Sequence, residues 1–225
     1  MSDGSVDWGP PAGGGLQFGR ETFSSAYDEA RAKALARSDL ALLQHYYSQC
    51  GTRFGGLSNI VEFGLTLTHG SDWLSEGGET LSMTDIVASE VYAACERLKP
   101  KGVSNIKFGV LYSRRDIGLL PMCNLLYSVL SVRLTQATIL VQVLGLLLTK
   151  VGPGGLALLR APTQHRLYQF MLPGTEAANE LNILPQWKIF ELLESNGFSL
   201  ILVQQDSLLR APDVLYTTVL AKRRS

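Results

Sequence analysis

The strongest constraint on the fold lies near the end of the chain. Two apolar runs, SLILVQQ (199–205) and VLYTTVLAK (214–222), are separated only by DSLLRAPD. A linker that short cannot hold the crossover helix that parallel neighbours need, so the two runs are expected to pair as an antiparallel hairpin. Upstream, NIVEF (59–63), TLSMTD (80–85), NIKFGVLY (105–112), CNLLYSVL (123–130) and LALLRA (156–161) read as strands separated by helical stretches. Each is apolar nearly throughout rather than at alternate positions, which marks a mostly parallel sheet covered on both faces. The expected class is therefore α/β, with a seven-strand sheet, a C-terminal antiparallel hairpin and helices on both faces.

The helices follow from periodicity and from their stops. Residues 24–50 are rich in Ala and Leu, carry Asp28 and Glu29 early and lack Gly and Pro, which predicts one long helix or two meeting near Ser38-Asp39. SDWLSEGG ends at Gly77-Gly78, and IVASEVYAACERLKPKG is closed by Pro100 and Gly102. PQWKIFELLESNGF is the last helix. Between them, ATILVQVLGLLL (137–148) is too short to span a bilayer and runs soon into Gly152-Pro153-Gly154-Gly155, read as a turn before the fifth strand. Its less apolar positions (Thr135, Thr138, Gln142, Gly145 and Thr149) form one narrow stripe, so more of it is apolar than a sheet alone would cover. A second buried contact is expected there.

At 225 residues one domain is the default. The divisions read are a Gly/Pro-rich arm (1–19), an N-terminal helical extension (20–56) and the sheet domain (57–225). The arm has only Trp8, Leu16 and Phe18 as large anchors, so a partner surface is its expected holder. Twenty basic and 20 acidic residues cancel, so charge does not point to nucleic acid. Cys50, Cys95 and Cys123 are far apart, without metal or disulfide spacing, and are read as reduced, buried thiols. No signal or transit segment is recognisable, which gives an intracellular expectation, cytoplasmic or mitochondrial.

Four stretches resemble the class I, seven-strand, Rossmann-like methyltransferases that use S-adenosylmethionine, and among them the small lysine-methyltransferase-like group. IVEFG is similar to the family's first strand and places Glu62 and Gly64. LSMTD looks like the second strand, ending in an acid, Asp85, that would accept hydrogen bonds from ribose hydroxyls. VGPGGLALLRAPTQHR is similar to the approach to the fifth strand and the strand itself, and LLESNGF to the last helix turning into the hairpin. The resemblance covers roughly 57–223 and implies Glu62, Gly64 and Asp85 as cofactor-binding residues.

Two departures bear on chemistry. The family's first loop has three glycines, where a Cβ would obstruct the cofactor. Here Glu62-Phe63-Gly64-Leu65-Thr66-Leu67-Thr68 keeps one, and β-branched threonines resist positive φ. At the end of the fourth strand, where lysine-modifying members carry an acid, no carboxylate occurs from Leu125 to Val132. No catalytic residue is named and no metal ligands are read. The leading expectation is a catalytically degenerate protein acting as an accessory subunit of a larger protein assembly, with no bound cofactor. The alternative is an active S-adenosylmethionine-dependent enzyme modifying a protein side chain (lysine) or, as a weaker reading, RNA.

Each candidate also has a plainer reading. Glu62 fits a buried strand acid held by loop amides. Asp85 fits the N-cap of the next helix. His165 is placed where a base could act but fits a surface residue beside Arg166. Arg114-Arg115-Asp116 and Lys222-Arg223-Arg224 fit solvated charge. No P-loop, GxSxG or HExxH motif is present.

Overall fold

The computed structural model describes residues 26–50, 54, 57–65, 71–130, 137–165, 183–206 and 214–225. The Gly/Pro-rich arm, Thr66 to Gly70 of the first loop, and residues 131–136 after the fourth strand lie outside them. The elements are α1 (Ala26–Gln49), β1 (Leu57–Phe63), α2 (Ser71–Gly77), β2 (Gly78–Asp85), α3 (Ala88–Leu98), β3 (Ile106–Val110), α4 (Arg114–Leu119), β4 (Cys123–Val129), α5 (Ala137–Thr149), β5 (Val151–His165), α6 (Gln186–Ser195), β6 (Phe198–Asp206) and β7 (Val214–Arg223). A 3-10 turn, Lys99–Lys101, closes α3 at Gly102.

The strands form one seven-stranded sheet in the order β3-β2-β1-β4-β5-β7-β6. Pairs from β3 to β5 are parallel, while β7 runs antiparallel to both β5 and β6. The hairpin expected from the short linker is present, and β7 folds back to lie between its two neighbours. Side chains of a strand alternate between faces, and both faces are buried. One face carries Ile60, Leu125, Tyr127 and Leu158 beneath Leu35 and Leu43 of α1, Leu74 of α2 and Val91 of α3. The other carries Val61, Leu126 and Leu159 beneath α4, α5 and α6. Burying one such Leu side chain contributes about 2 kcal/mol, so the apolar strands and helix faces jointly fix the layer order.

Of four local expectations, two are met and two are revised. First, α1 is a single helix from Ala26 to Gln49, the first of its two alternatives, since no Gly or Pro in that span breaks the backbone ladder. Second, the apolar surplus of α5 is met inside the chain. Leu140, Val143, Leu144, Leu147 and Leu148 pack in a cluster with Ile117 of α4 and Ile189 and Leu193 of α6, while Thr138, Gln142 and Thr149 face solvent. Third, Gly152 to Gly155 belongs to β5 as a bulge, because Cys123 pairs with Val151 but Leu125 with Leu156. A Cβ on Gly155 would lie 2.9 Å from Gly152 O and 3.0 Å from Asn124 O, so this tight bulge requires glycine. Fourth, Arg114 to Asp116 opens the unexpected helix α4, whose capping box joins Ser113 and Asp116.

The basic C-terminus is only partly solvated. Arg223 Nη1 donates to the carbonyls of Thr149 and Val151, and Arg224 Nε donates to Ser199 Oγ at 3.0 Å. The three thiols are free, as expected, but only one of them is buried. Cys123 is buried and pushed up to about 12 chiefly by desolvation, Cys95 is intermediate and Cys50 is exposed. No helix among the described residues is long and apolar enough to cross a membrane.

Candidate functional site

In open α/β sheets, ligands gather at the carboxyl ends of the strands where the strand order reverses. Here the reversal falls between β1 and β4, and Gly64 stands at it, directly after β1. Its φ is +90°, and a Cβ built on it would lie 2.7 Å from the Val129 carbonyl oxygen at the end of β4. The position therefore demands glycine twice over, by conformation and by close approach. Gly64 N–H donates to Thr84 O at 3.2 Å, and Thr84 Oγ1 donates to Glu62 O at 2.9 Å, which pins the turn to β2.

Asp85 ends β2 beside this turn, only 4% exposed. Its Oδ2 accepts the Leu65 N–H at 2.8 Å and its Oδ1 accepts the Val87 N–H at 2.9 Å. The N-cap of α3 is Val87, so the capping role expected of Asp85 is corrected: it braces the approach to α3 from two residues upstream, as an Asx turn. One carboxylate thus ties the first loop to the following helix. Gly64 and Asp85 are brought together through Leu65. Glu62 is fully buried on β1, level with Tyr127 of β4.

Burial is the main cause that lifts Asp85 from 3.8 to about 6, against the two amide bonds, while Glu90 adds a smaller upward push. A carboxyl with a higher pKa folded than unfolded holds its proton better in the folded state. Its contribution to stability therefore grows as pH falls through about 6 towards 4, and above that window the folded state carries the cost of a buried charge, on the order of 3 kcal/mol. Wild type is accordingly expected to gain stability relative to Asp85→Asn as pH drops from about 7.5 to about 4.5, read from urea midpoints. A pH-independent difference would refute the assignment.

A polar cluster that the sequence reading missed is buried under α1, on the face that carries Tyr127. Arg160 Nη2 of β5 meets Asp39 Oδ1 of α1 at 3.0 Å, with both side chains almost fully buried. Tyr127 Oη donates to Asp39 Oδ2 at 2.9 Å, and Arg160 Nε donates to Thr218 Oγ1 of β7 at 2.6 Å. Burial, with Asp39 and Glu62 nearby, pushes the Tyr127 hydroxyl well above its ordinary value. Arg160 pairs in register with Val129, whose carbonyl packs against Gly64, so this cluster lies one strand from the turn. A signal was available: Asp39 occupies the same helix face as Leu35 and Leu43, and Arg160 interrupts an apolar strand. Opposite charges placed in apolar patterns must find each other.

The remaining candidates are not gathered here. His45 contacts Gln49 on the exposed side of α1, His69 lies outside the described residues, and only the backbone of His165 is described, at the end of β5. Thr66 and Thr68 lie outside the described residues, as do residues 131–136 after β4. Among the described residues no three His, Cys, Asp or Glu side chains are grouped as a metal would need.

No protein-family model matches the chain, and no curated protein sequence does. Solved structures do. The N-methyltransferase NodS of Bradyrhizobium japonicum WM9 is 16% identical, with a TM-score of 0.60 over 90% of this chain and 99% of that one. The magnesium protoporphyrin IX methyltransferase of Synechocystis PCC 6803, with bound S-adenosylhomocysteine, is 16% identical, with a TM-score of 0.63 over 91% and 89%. The cyclase SpnF, 13% identical, matches with a TM-score of 0.57 over 76% and 75%. At such identities the likeness is one of fold: the chain has the fold of the class I, seven-strand S-adenosylmethionine-dependent methyltransferases.

Proposed function

We propose that this protein is an S-adenosylmethionine-dependent methyltransferase, with Glu62, Gly64 and Asp85 forming the cofactor cradle. The carrying observation is the junction of a glycine at φ +90° with a buried carboxylate on the adjacent strand end, at the reversal point of the sheet. Such a turn lets a ligand approach backbone closely, and a carboxylate with a pKa near 6 is an acceptor for hydroxyls at neutral pH. The structural neighbours support the reading, since the protoporphyrin enzyme and NodS have both been seen with S-adenosylhomocysteine. Bound there, S-adenosylmethionine would supply an electrophilic methyl group. The acceptor favoured is an amine already nucleophilic when deprotonated, a protein lysine in the first instance. Such a transfer needs alignment and exclusion of water more than a nearby acid, and the described part of β4 beyond Leu125 offers no carboxylate.

A second reading has its own observation. Both carboxylate oxygens of Asp85 already accept backbone amides, and a carboxyl used as a brace need not hold a ligand. On that reading the fold serves as an accessory subunit beside other proteins. Isothermal titration with S-adenosylmethionine separates the two. The enzyme reading expects micromolar binding that weakens at least tenfold in Asp85→Ala, about 1.4 kcal/mol. Absence of binding at millimolar cofactor would leave the accessory reading standing.

A further inference from the structure

The sheet has two edges, and they are guarded differently. β3 is five residues long and carries an exposed lysine, Lys107, which is one ordinary protection against pairing with other strands. β6 is nine residues long, and from Phe198 to Gln205 it contains no charge and no proline. Leu200 is 46% exposed, and Ile201 and Val203 are each 39% exposed. Among the described residues its neighbour in the sheet is β7 alone, and the register shift at Ile201 leaves that residue without an opposite on β7.

We propose that β6 pairs edge to edge with β6 of a second copy of this chain, antiparallel about a two-fold axis at Leu202, to give one continuous sheet across a homodimer. The sequence is self-complementary in that register. Ile201 stands opposite Val203, Leu200 opposite Gln204 and Ser199 opposite Gln205, so apolar residues meet at the centre and amides or hydroxyls at the flanks. The ends are complementary in charge. Arg224 is exposed at the start of the strand, its guanidinium held by Ser199 Oγ at 3.0 Å and Phe198 O at 3.4 Å. The strand closes on the acidic residue Asp206. Antiparallel pairing about Leu202 sets position 206 of one copy across from position 198 of the other, which brings the cationic end to the acidic end twice over. Two-fold pairing uses β6 of both copies, so the assembly closes as a dimer, and the bulge at Ile201 keeps the ladder short.

The test is the mass of the full chain in solution, by light scattering and sedimentation. Wild type is expected to be dimeric in the tens of micromolar range, consistent with a dissociation constant of about 1–10 μM for a small interface. Val203→Lys is expected to be monomeric with an unchanged circular dichroism spectrum. Asp206→Arg is expected to weaken the dimer tenfold or more, and Arg224→Asp added to it should restore dimerisation. A monomeric wild type at about 100 μM, a Val203→Lys that stays dimeric, or a charge swap without rescue overturns the proposal. None of these residues belongs to the cofactor cradle, so cofactor titration of the same variants reports on the enzyme reading independently.

Discussion

Arg160→Met is expected to lower unfolding stability by about 3–5 kcal/mol, because it leaves the Asp39 carboxylate buried without its ion-pair partner. For a chain of this size that corresponds to a fall of roughly 6–20 °C in the melting midpoint. The instructive comparison is Asp39→Leu with Arg160→Met in one chain. Removing both charges eliminates the buried-charge cost, so most of the loss is expected to return. It should not return completely, since the Tyr127 hydroxyl then loses its acceptor at a cost of about 1–3 kcal/mol. Adding Tyr127→Phe should recover that remainder. Urea unfolding of the single, double and triple variants measures each step, and simple additivity among them would show that the three side chains do not act as a unit.

Gly64→Ala carries the second large effect. An L-residue at φ +90° is strained by about 1–3 kcal/mol, and its Cβ would meet a backbone oxygen that cannot rotate away. Relief requires the turn to move, and Leu65, whose N–H is held by Asp85, moves with it. The expected outcome is a loss of about 2–4 kcal/mol together with at least tenfold weaker cofactor binding under the enzyme reading. Gly102→Ala provides the control. Gly102 also has positive φ, at +65°, but nothing lies within 4 Å of its Cβ position, so only a cost of about 1–2 kcal/mol is expected there. Equal losses at the two positions would remove the case for close approach at Gly64.

The sheet was readable because its signals are redundant. Apolar strands, intervening helices and the brief linker before β7 all demand the same layers, and a strand boundary misplaced by a few residues changes none of them. Where the local signal conflicts, the reading slipped. The glycines before LALLRA look like a turn, yet the ladder to β4 resumes on their far side, so only the partner strand shows that they are a bulge. Arg114 and Arg115 are the exposed charges they look like, but the helix they open was not read, because its start rests on the reciprocal cap between Ser113 and Asp116. At the candidate site, Glu62, Gly64 and Asp85 were named from the family resemblance, and the structure joins Gly64 and Asp85 through Leu65. The hydrogen bonds of Asp85 were not legible, because sequence spacing cannot say whether a carboxylate faces a ligand or the amide of Leu65. The cluster of Asp39, Tyr127 and Arg160 was missed for another reason. Its members lie far apart in sequence, so the two out-of-pattern charges, Asp39 and Arg160, become a pair only when the fold lays α1 over β5.

That separation has a consequence for the order in which the molecule is made. Asp39 and Tyr127 are 88 residues apart, which at ribosomal speed is about 5–20 s of synthesis. Throughout that interval α1 has emerged while neither Tyr127 of β4 nor Arg160 of β5, which lies later still and carries the neutralising charge, has been made. A charge in water opposes burial, so α1 should wait as a solvated helix and dock late, over a sheet already assembled. Stalled nascent chains ending before β4 should accordingly show α1 open to proteolysis, whereas chains extended past β7 should protect it. The helix α1, made before every strand it covers, would then be the last of these elements to find its place.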